Sequence, residues 1–477
     1  MVANAGIHVN TDSLQDVPIE VKEFKITSNG DDGRTVDISG GVVEFRFFEN
    51  VLSAYMTAQC VVINTGNEYK NDVPIATRGL IDGLPLRGGE TVSIRLRDNK
   101  EARNYTLSQT FSGNEINLEM VVDKIYNVIT DRGKEVFVMH LSTPEFLTNL
   151  VTSVGGRYEG LISDHVYNIV NNVLRTRKRL YSDKTALNFN FYGNTRKPFY
   201  ILLWLASKAI PEVPASGGKG GSGVGGAAGY FFYETRKGFN FRSIDKMFMA
   251  NSSGFTQVKR KFLFNDTGLS AEGYDYNIKD YNIVTNMNLE DKLATGSYAN
   301  TTIFYDFYSM KPEVRKWSYG TNTKDRIHES GDDPVYDHLP SGLKDKSTKT
   351  YVHLVDVGSN PDGTGNEQLE GKNQDSGWYE KQRAHVQNAM VQTEMRYNQL
   401  YTVVINVTIP ADFALQAGDL IECNFRETTG SSKEQLNSDS SGIYMIGSVC
   451  HRYSPEDSGG HTKLGLMRDT FGRKLDS

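Results

Sequence analysis

The clearest pattern lies toward the end of the chain, where Val403, Ile405, Val407 and Ile409 alternate with Val404, Asn406 and Thr408. A period of two is what a strand with one buried face requires. Gly418-Asp419 marks a tight turn, and Ile421, Cys423 and Phe425 then carry the inward face on. Further strands are expected over 442–454 and 462–469. The same alternation fills residues 18–145. A strand from Val42, a turn around Glu49-Asn50 and a second strand from Tyr55 come first. Val92, Ile94 and Leu96 then alternate with Ser93, Arg95 and Arg97, and 117–143 reads as two strands joined at Asp131-Arg132-Gly133. Short, closely spaced strands with glycine-containing turns predict an antiparallel barrel.

The period changes near residue 145. Val166, Ile169, Val170, Val173 and Leu174 recur at helical spacing, with Ser163 and Asp164 suited to the helix start. Arg175, Arg177, Lys178 and Arg179 suit the negative end of its dipole. A second helix is expected from Pro198 through Ala206. Ser216 to Gly229 reads as a flexible glycine-rich loop, followed by a hairpin turning at Lys237-Gly238. The plan that results is an arm (1–17), a first barrel (18–145), a mixed α/β inserted domain (146–270, with the loop 216–229) and the start of a second barrel (271–310). Thr301 to Met310 is the clearest strand of that start. A long polar insertion (311–377), a helix (378–400) and the remainder of the second barrel (401–477) complete it. Strand-rich blocks thus flank a helical middle, a coarse duplication without a short repeat.

Composition narrows the function. The 477 residues are 38% hydrophobic and 23% charged, enough for several packed cores. The 25 tyrosines and 23 phenylalanines suit a strand-rich chain. A net charge of −6 argues against general nucleic-acid binding, which needs a basic surface. No apolar run is long enough to span a membrane, and the first sixteen residues lack the basic start and apolar core of a secretory leader. Cys60, Cys423 and Cys450 are far apart, without metal-ligand spacing, and read as buried thiols of a protein made in a reducing cytoplasm.

Candidate chemistry is sparse. Lys219 is followed by Gly220 where a phosphate-binding loop needs Ser or Thr, and a hairpin rather than a helix comes after the glycines. His451 and His461, with Glu456 and Asp457 between them, lack the third ligand of a zinc site and read as surface or turn residues. Asp31-Asp32 and Asp332-Asp333 lack calcium-loop spacing and read as solvated loop charges. There is no nucleophile elbow. A glycosidase carboxylate pair leaves no local signature, because its partners can be distant in sequence. The basic run at 175–179 is short for a nucleic-acid patch, and the helix end already accounts for it. No catalytic, cofactor-binding or metal-ligating residue is assigned.

Several stretches in a shared order resemble the central baseplate hub proteins of contractile-tailed bacteriophages, a family also similar to the hub part of secretion-system spike proteins. These are Tyr55 to Asn64, Val73 to Leu96, Val121 to Asn149 leading into Ile162 to Leu174, Leu202 to Ala209, Tyr230 to Asp245, and the C-terminal strands. The resemblance covers roughly residues 18 to 474. It implies a β-rich α+β chain with two antiparallel tube-type β-barrels and an inserted mixed helical domain. It further implies a homotrimer that adapts a three-fold spike to the six-fold tail tube. The implied partners are the chain itself, a tail spike trimer, tail tube or tube-initiator proteins and baseplate wedge proteins. Phage DNA would pass through the lumen without specific binding, and nothing would insert into a membrane. The implied location is the virion tail baseplate, after synthesis in the bacterial host cytoplasm. The 311–377 segment departs from the pattern, and the sequence given shows no spike region of the fused secretion-system kind. The other readings left open are a hub of a phage-derived injection particle, a tail-borne cell-wall hydrolase, and a glycan-binding module using its tyrosines as stacking platforms.

Overall fold

In the computed structural model the alternating segments form strands of one large curled sheet. The structure describes residues 19–64, 80–212, 229–248, 258–318, 346–354, 391–426 and 436–469, apart from short stretches within them. The glycine-rich loop up to residue 228, the acidic pairs at 31–32 and 332–333, the loop between His451 and His461, and most of the expected helix 378–400 lie outside the described residues. The part of that helix which is described, 393–400, is helical.

The first block contributes β1 (Ile19–Thr27), β2 (Thr35–Asp37), β3 (Val42–Asn50), β4 (Thr57–Asn64) and β5 (Thr91–Asp98), with a short helix α1 (Leu80–Gly83) between the last two. A small pair, β6 (Ala102–Asn104) and β7 (Gln109–Phe111), precedes β8 (Glu115–Asp131) and β9 (Lys134–Ser142). Their inward residues, among them Phe24, Phe45, Phe47, Val92, Ile94, Phe137 and Met139, make one core. The expected hairpin is present, with Asp131 opposite Lys134.

The middle comprises α2 (Pro144–Val151), β10 (Arg157–Tyr158), α3 (Ile162–Asn168), β11 (Leu180–Ser182), β12 (Phe191–Tyr192), α4 (Pro198–Ala206), β13 (Tyr230–Thr235), β14 (Gly238–Ser243) and α5 (Ile244–Phe248). Pro198 does open α4. The other helix departs from expectation. It begins at Ile162 with Leu161 as its cap, Ser163 and Asp164 donate no cap, and a π turn over 169–173 ends it before Arg175, whose φ is 52°. Every residue of β13 is buried. Tyr230 and Phe232 pack with α4, while Phe231 and Tyr233 pack beneath the large sheet. Tyr-Phe-Phe-Tyr therefore shows no alternation, because both faces of the strand meet apolar cores.

The last block contributes β15 (Val258–Phe264), β16 (Tyr276–Asn277), β17 (Asp280–Asn286), α6 (Leu289–Ala294), β18 (Ala299–Asp306), β19 (Lys311–Ser318), β20 (Lys349–Leu354), β21 (Val403–Pro410), β22 (Leu420–Phe425), β23 (Gly442–Ser454) and β24 (Gly459–Arg468). Two expectations are corrected here. Thr301 to Asp306 belongs to β18, which leaves the large sheet and pairs with β19 and β20 in a separate three-stranded sheet; the large sheet takes β17 instead. The segment 311–377, read as an aperiodic loop, supplies β19 and β20. Val314 and Val352 are exposed there, so no buried face imposes the alternation that marks other strands.

Strand order gives the coarse duplication a form. The first block runs β3-β4-β9-β8-β5 across the sheet, and the last runs β17-β21-β24-β23-β22. In chain order both are first, second, fifth, fourth, third. β3 then pairs with β23, joining the halves into one fourteen-stranded sheet. The second half curls back on itself: the Ile278 amide donates to the Leu263 carbonyl on β15, and the next amide, Lys279, donates to Thr408 on β21.

Candidate assembly surface

The joint between the halves is held by polar groups placed on the inward phase of their strands. Glu49 follows Phe45 and Phe47 on β3, and it is buried in the strand rather than sitting in a turn as its sequence suggested. One carboxylate oxygen accepts from the Arg236 amide at 2.9 Å and the other from the Ala417 amide at 3.0 Å. A single side chain on the first half thereby holds the β13–β14 turn and the loop before β22. Burial pushes its carboxyl above the usual range, against the pull of Arg236. Asp98, at the end of β5, accepts from the Phe413 amide at 2.9 Å, and Phe413 reaches into the first core.

His451 is also part of this joint. It was expected on the surface, but it is 2% exposed, stacked on Phe47 at 4.7 Å and edge-on to Phe413 at 5.2 Å. Its Nδ1 pairs with the Thr462 hydroxyl at 2.8 Å. Burial, with Arg236 nearby, lowers its pKa to about 3, so it is neutral. Its phase after Val449 on β23 carried that information. His461 lies half-buried on the neighbouring strand, facing the other way. Cys60 and Cys423 are buried strand residues, Cys450 is half-buried, and all three are free thiols.

A second cluster fixes the helical middle to the sheet. Glu234 on β13 is fully buried and accepts from the Met56 amide at 3.1 Å, the Thr143 hydroxyl at 2.8 Å and Lys178 Nζ at 2.5 Å. Lys178 also reaches Glu145 at 2.6 Å, which in turn accepts from Thr176. Burial lowers the lysine's pKa, but Glu234 and Glu145 outweigh it and keep the ammonium charged. Lys178 was read as a helix-end charge; the chain reverses after Arg175 and turns it inward instead. The reversal continues as the Phe239 amide donates to the Arg179 carbonyl at 2.9 Å. Gly238 is required at that point: its φ is 135°, and a Cβ there would lie 2.2 Å from the Arg179 oxygen.

The face opposite the two cores is continuous across β17-β21-β24-β23-β3-β4-β9-β8. Its central row is Asn282, Asn406, Gly465, Ser448 and Asn50, in register through four successive strand pairs. A depression of about 540 Å³ lies over this row, flanked by Asp280, Lys463 and Cys450. Farther along, Glu44 sits between Arg46 and Arg452, at 2.7 Å from the former. Partial burial raises its pKa, but the two arginines outweigh this and hold the carboxyl below its usual range. His140 pairs with Asp123 at 2.7 Å. The central row of the face is therefore short, polar and uncharged, with half-buried apolar residues such as Phe48, Val61 and Val138 farther along and ion pairs around Glu44. Among the described residues no group of three or more His, Cys, Asp or Glu could hold a metal ion, and no helix is long and apolar enough to cross a membrane.

No family model and no curated protein matches the sequence. Among solved structures, the tail protein from Neisseria meningitidis MC58 superimposes over 95% of this chain and 97% of its own, with a TM-score of 0.50 and 9% identity. The chain has a tail-protein fold. The 43 kDa tail protein of prophage MuSo2 from Shewanella oneidensis aligns over 94% of this chain and 98% of its own, at a TM-score of 0.46 and 8% identity. The E. coli c3393 protein, a component of the type VI secretion system, aligns over 96% of this chain and 79% of its own, at a TM-score of 0.36 and 8% identity. At such identities the tail-protein fold is a likeness of backbone path and carries no side-chain roles with it.

Proposed function

We propose that this chain is the central hub of a contractile phage tail baseplate. The observation that carries the reading is the repeated strand order, which gives each chain two like halves. In this reading β1–β5 with β8 and β9 form a first tube-type barrel, β15–β17 with β21–β24 form a second, and the middle residues are a domain inserted between them. Three copies then present six barrels. That ring meets a six-fold tail tube or its initiator on one side and a three-fold spike on the other, with baseplate wedge proteins around it. The eight-strand polar face lines the channel. Its central row is uncharged, so DNA phosphates pass without being held. An adaptor of this kind works through large complementary surfaces and needs no catalytic residue. The protein is made in the bacterial cytoplasm and resides in the virion tail. A hub of a phage-derived injection particle has the same architecture and is the second reading.

Native mass measurement with negative-stain imaging tests this. A mass of three subunits and rings with a central pore are expected. A monomer that persists at high concentration, also in the presence of its spike, would sink the hub reading.

A further inference from the structure

The two halves are joined at one place, and the same joint is left half-made at two others. β23 carries β24 on one side. Its other side is taken first by β22, ending at Met445 opposite Leu420, and past a bulge at Gly447 by β3, from Ser448 opposite Asn50. β8 is its counterpart in the first half. It carries β9 on one side, and its other side is taken by β5 as far as Val121 opposite Thr91. A bulge follows at the equivalent position, between Val122 and Lys124. Beyond it, no strand among the described residues pairs with that side of β8. In the same way β3 carries both β4 and β23, whereas its counterpart β17 carries β21 alone among the described strands.

We propose that β17 of one copy pairs antiparallel with residues 124–130 of β8 of a second copy, repeating between chains the β3–β23 joint made within one. The edges match in composition as well as topology. One reads Tyr126-Asn-Val-Ile-Thr130 and the other Tyr281-Asn-Ile-Val-Thr285. Each presents apolar side chains to solvent: Ile129 is 62% exposed, Val128 50%, Val284 55% and Ile283 36%. Two long edges with exposed apolar residues invite strand addition. They lie at opposite ends of one sheet, so the contact is head-to-tail.

The register follows from the internal joint. Phe48, Thr57, Ser142 and Val121 form one row across the first half; Thr285, Val404, Met467 and Met445 form the equivalent row across the second. Counting past the matched bulges makes Tyr126 equivalent to Cys450. Cys450 is opposite Phe48 within the chain. Tyr126 therefore comes opposite Thr285 of a second copy, and Val128 meets Ile283. Closure of these contacts into a ring of three rests on the hub reading; the pairing of the edges does not.

A chain carrying Tyr126→Cys and Thr285→Cys, with Cys450→Ser to remove the half-buried thiol, tests the register. Directly opposed strand residues lie within disulfide reach. Mild oxidation should convert most of the chain to covalent multimers on a non-reducing gel, with three subunits as the upper limit, and only when both cysteines are present. An oligomer of native mass with no cross-link would overturn the pairing and leave the hub reading standing. A ladder running well past three subunits would uphold the pairing and defeat the trimeric hub. A monomer without cross-links, at high concentration and also in the presence of its spike, would overturn both. Val284→Lys, at an exposed position, should dissociate the oligomer while leaving the thermal transition of the monomer in place, and an intact oligomer there would also refute the pairing.

Discussion

Two three-membered ion clusters in this protein use the same ingredients in opposite proportion. Beneath the middle region, two carboxylates (Glu234 and Glu145) share one lysine; on the polar face, two arginines share Glu44. In the first, Glu234 is fully buried and also satisfied by a backbone amide and a hydroxyl, while Lys178 keeps part of its side chain at the surface. The second is partly open to water. Coulomb attraction between a buried pair is strong, and so is the penalty for breaking it, whereas exposed pairs are screened. The difference separates a cluster that fixes how two regions sit together from one that only neutralises a surface.

Removing one acid from each cluster is the most direct way to break the comparison. Glu234→Ala leaves the Met56 amide and the Thr143 hydroxyl without their acceptor in an apolar setting and leaves Lys178 with Glu145 alone, and should cost about 3–5 kcal/mol in denaturant unfolding. A loss below about 1 kcal/mol would show that water already reaches the cluster. Disturbing the backbone that delivers Lys178 comes next. Gly238→Ala sets a Cβ against the Arg179 carbonyl in a left-handed conformation and should cost about 2 kcal/mol, with the same readout.

His451 sharpens the comparison with a buried group that stays neutral. Above pH 6.5 it is uncharged in both folded and unfolded chains. As pH falls from there toward about 3, the unfolded chain takes up a proton that the folded protein refuses. Stability should therefore decline by about 1.4 kcal/mol per pH unit from this group alone, and level off below pH 3. Comparing unfolding of the parent with His451→Gln between pH 7 and 4 isolates the effect; parallel pH curves would mean that the imidazole is already hydrated. The smallest change is expected on the face. Glu44→Gln should alter stability by less than about 1 kcal/mol, with the difference shrinking further in high salt.

Much of the fold was legible in the alternation, because each strand of the two cores has one wet and one dry face. Val403 to Ile409 and Val92 to Leu96 needed nothing more. The rule fails where that contrast vanishes. β13 is dry on both faces, and β19 and β20 are wet enough that 311–377 looked shapeless. Glu49 and His451 were misplaced for a different reason: both are in phase with Phe47 and Val449, but a polar residue at an inward position was assigned by its chemistry and not by its phase. The assembly surface was the least legible part, since pairing partners hundreds of residues apart leave no spacing signal. The paired strings from Tyr126 and Tyr281 were nevertheless present in the sequence.

The β3–β23 joint also has a consequence for biogenesis. Arg452 and Glu44, which meet across it, are 408 residues apart in the chain. During synthesis the edge of β3 emerges early and waits, unpaired, until nearly the whole polypeptide has left the ribosome. Contacts of such high sequence separation form slowly, and a waiting edge is open to capture by neighbouring nascent chains. Expression of this protein should accordingly be sensitive to translation rate and to chaperone supply, and a chain truncated before Gly442 should aggregate through the very strand that the finished molecule conceals.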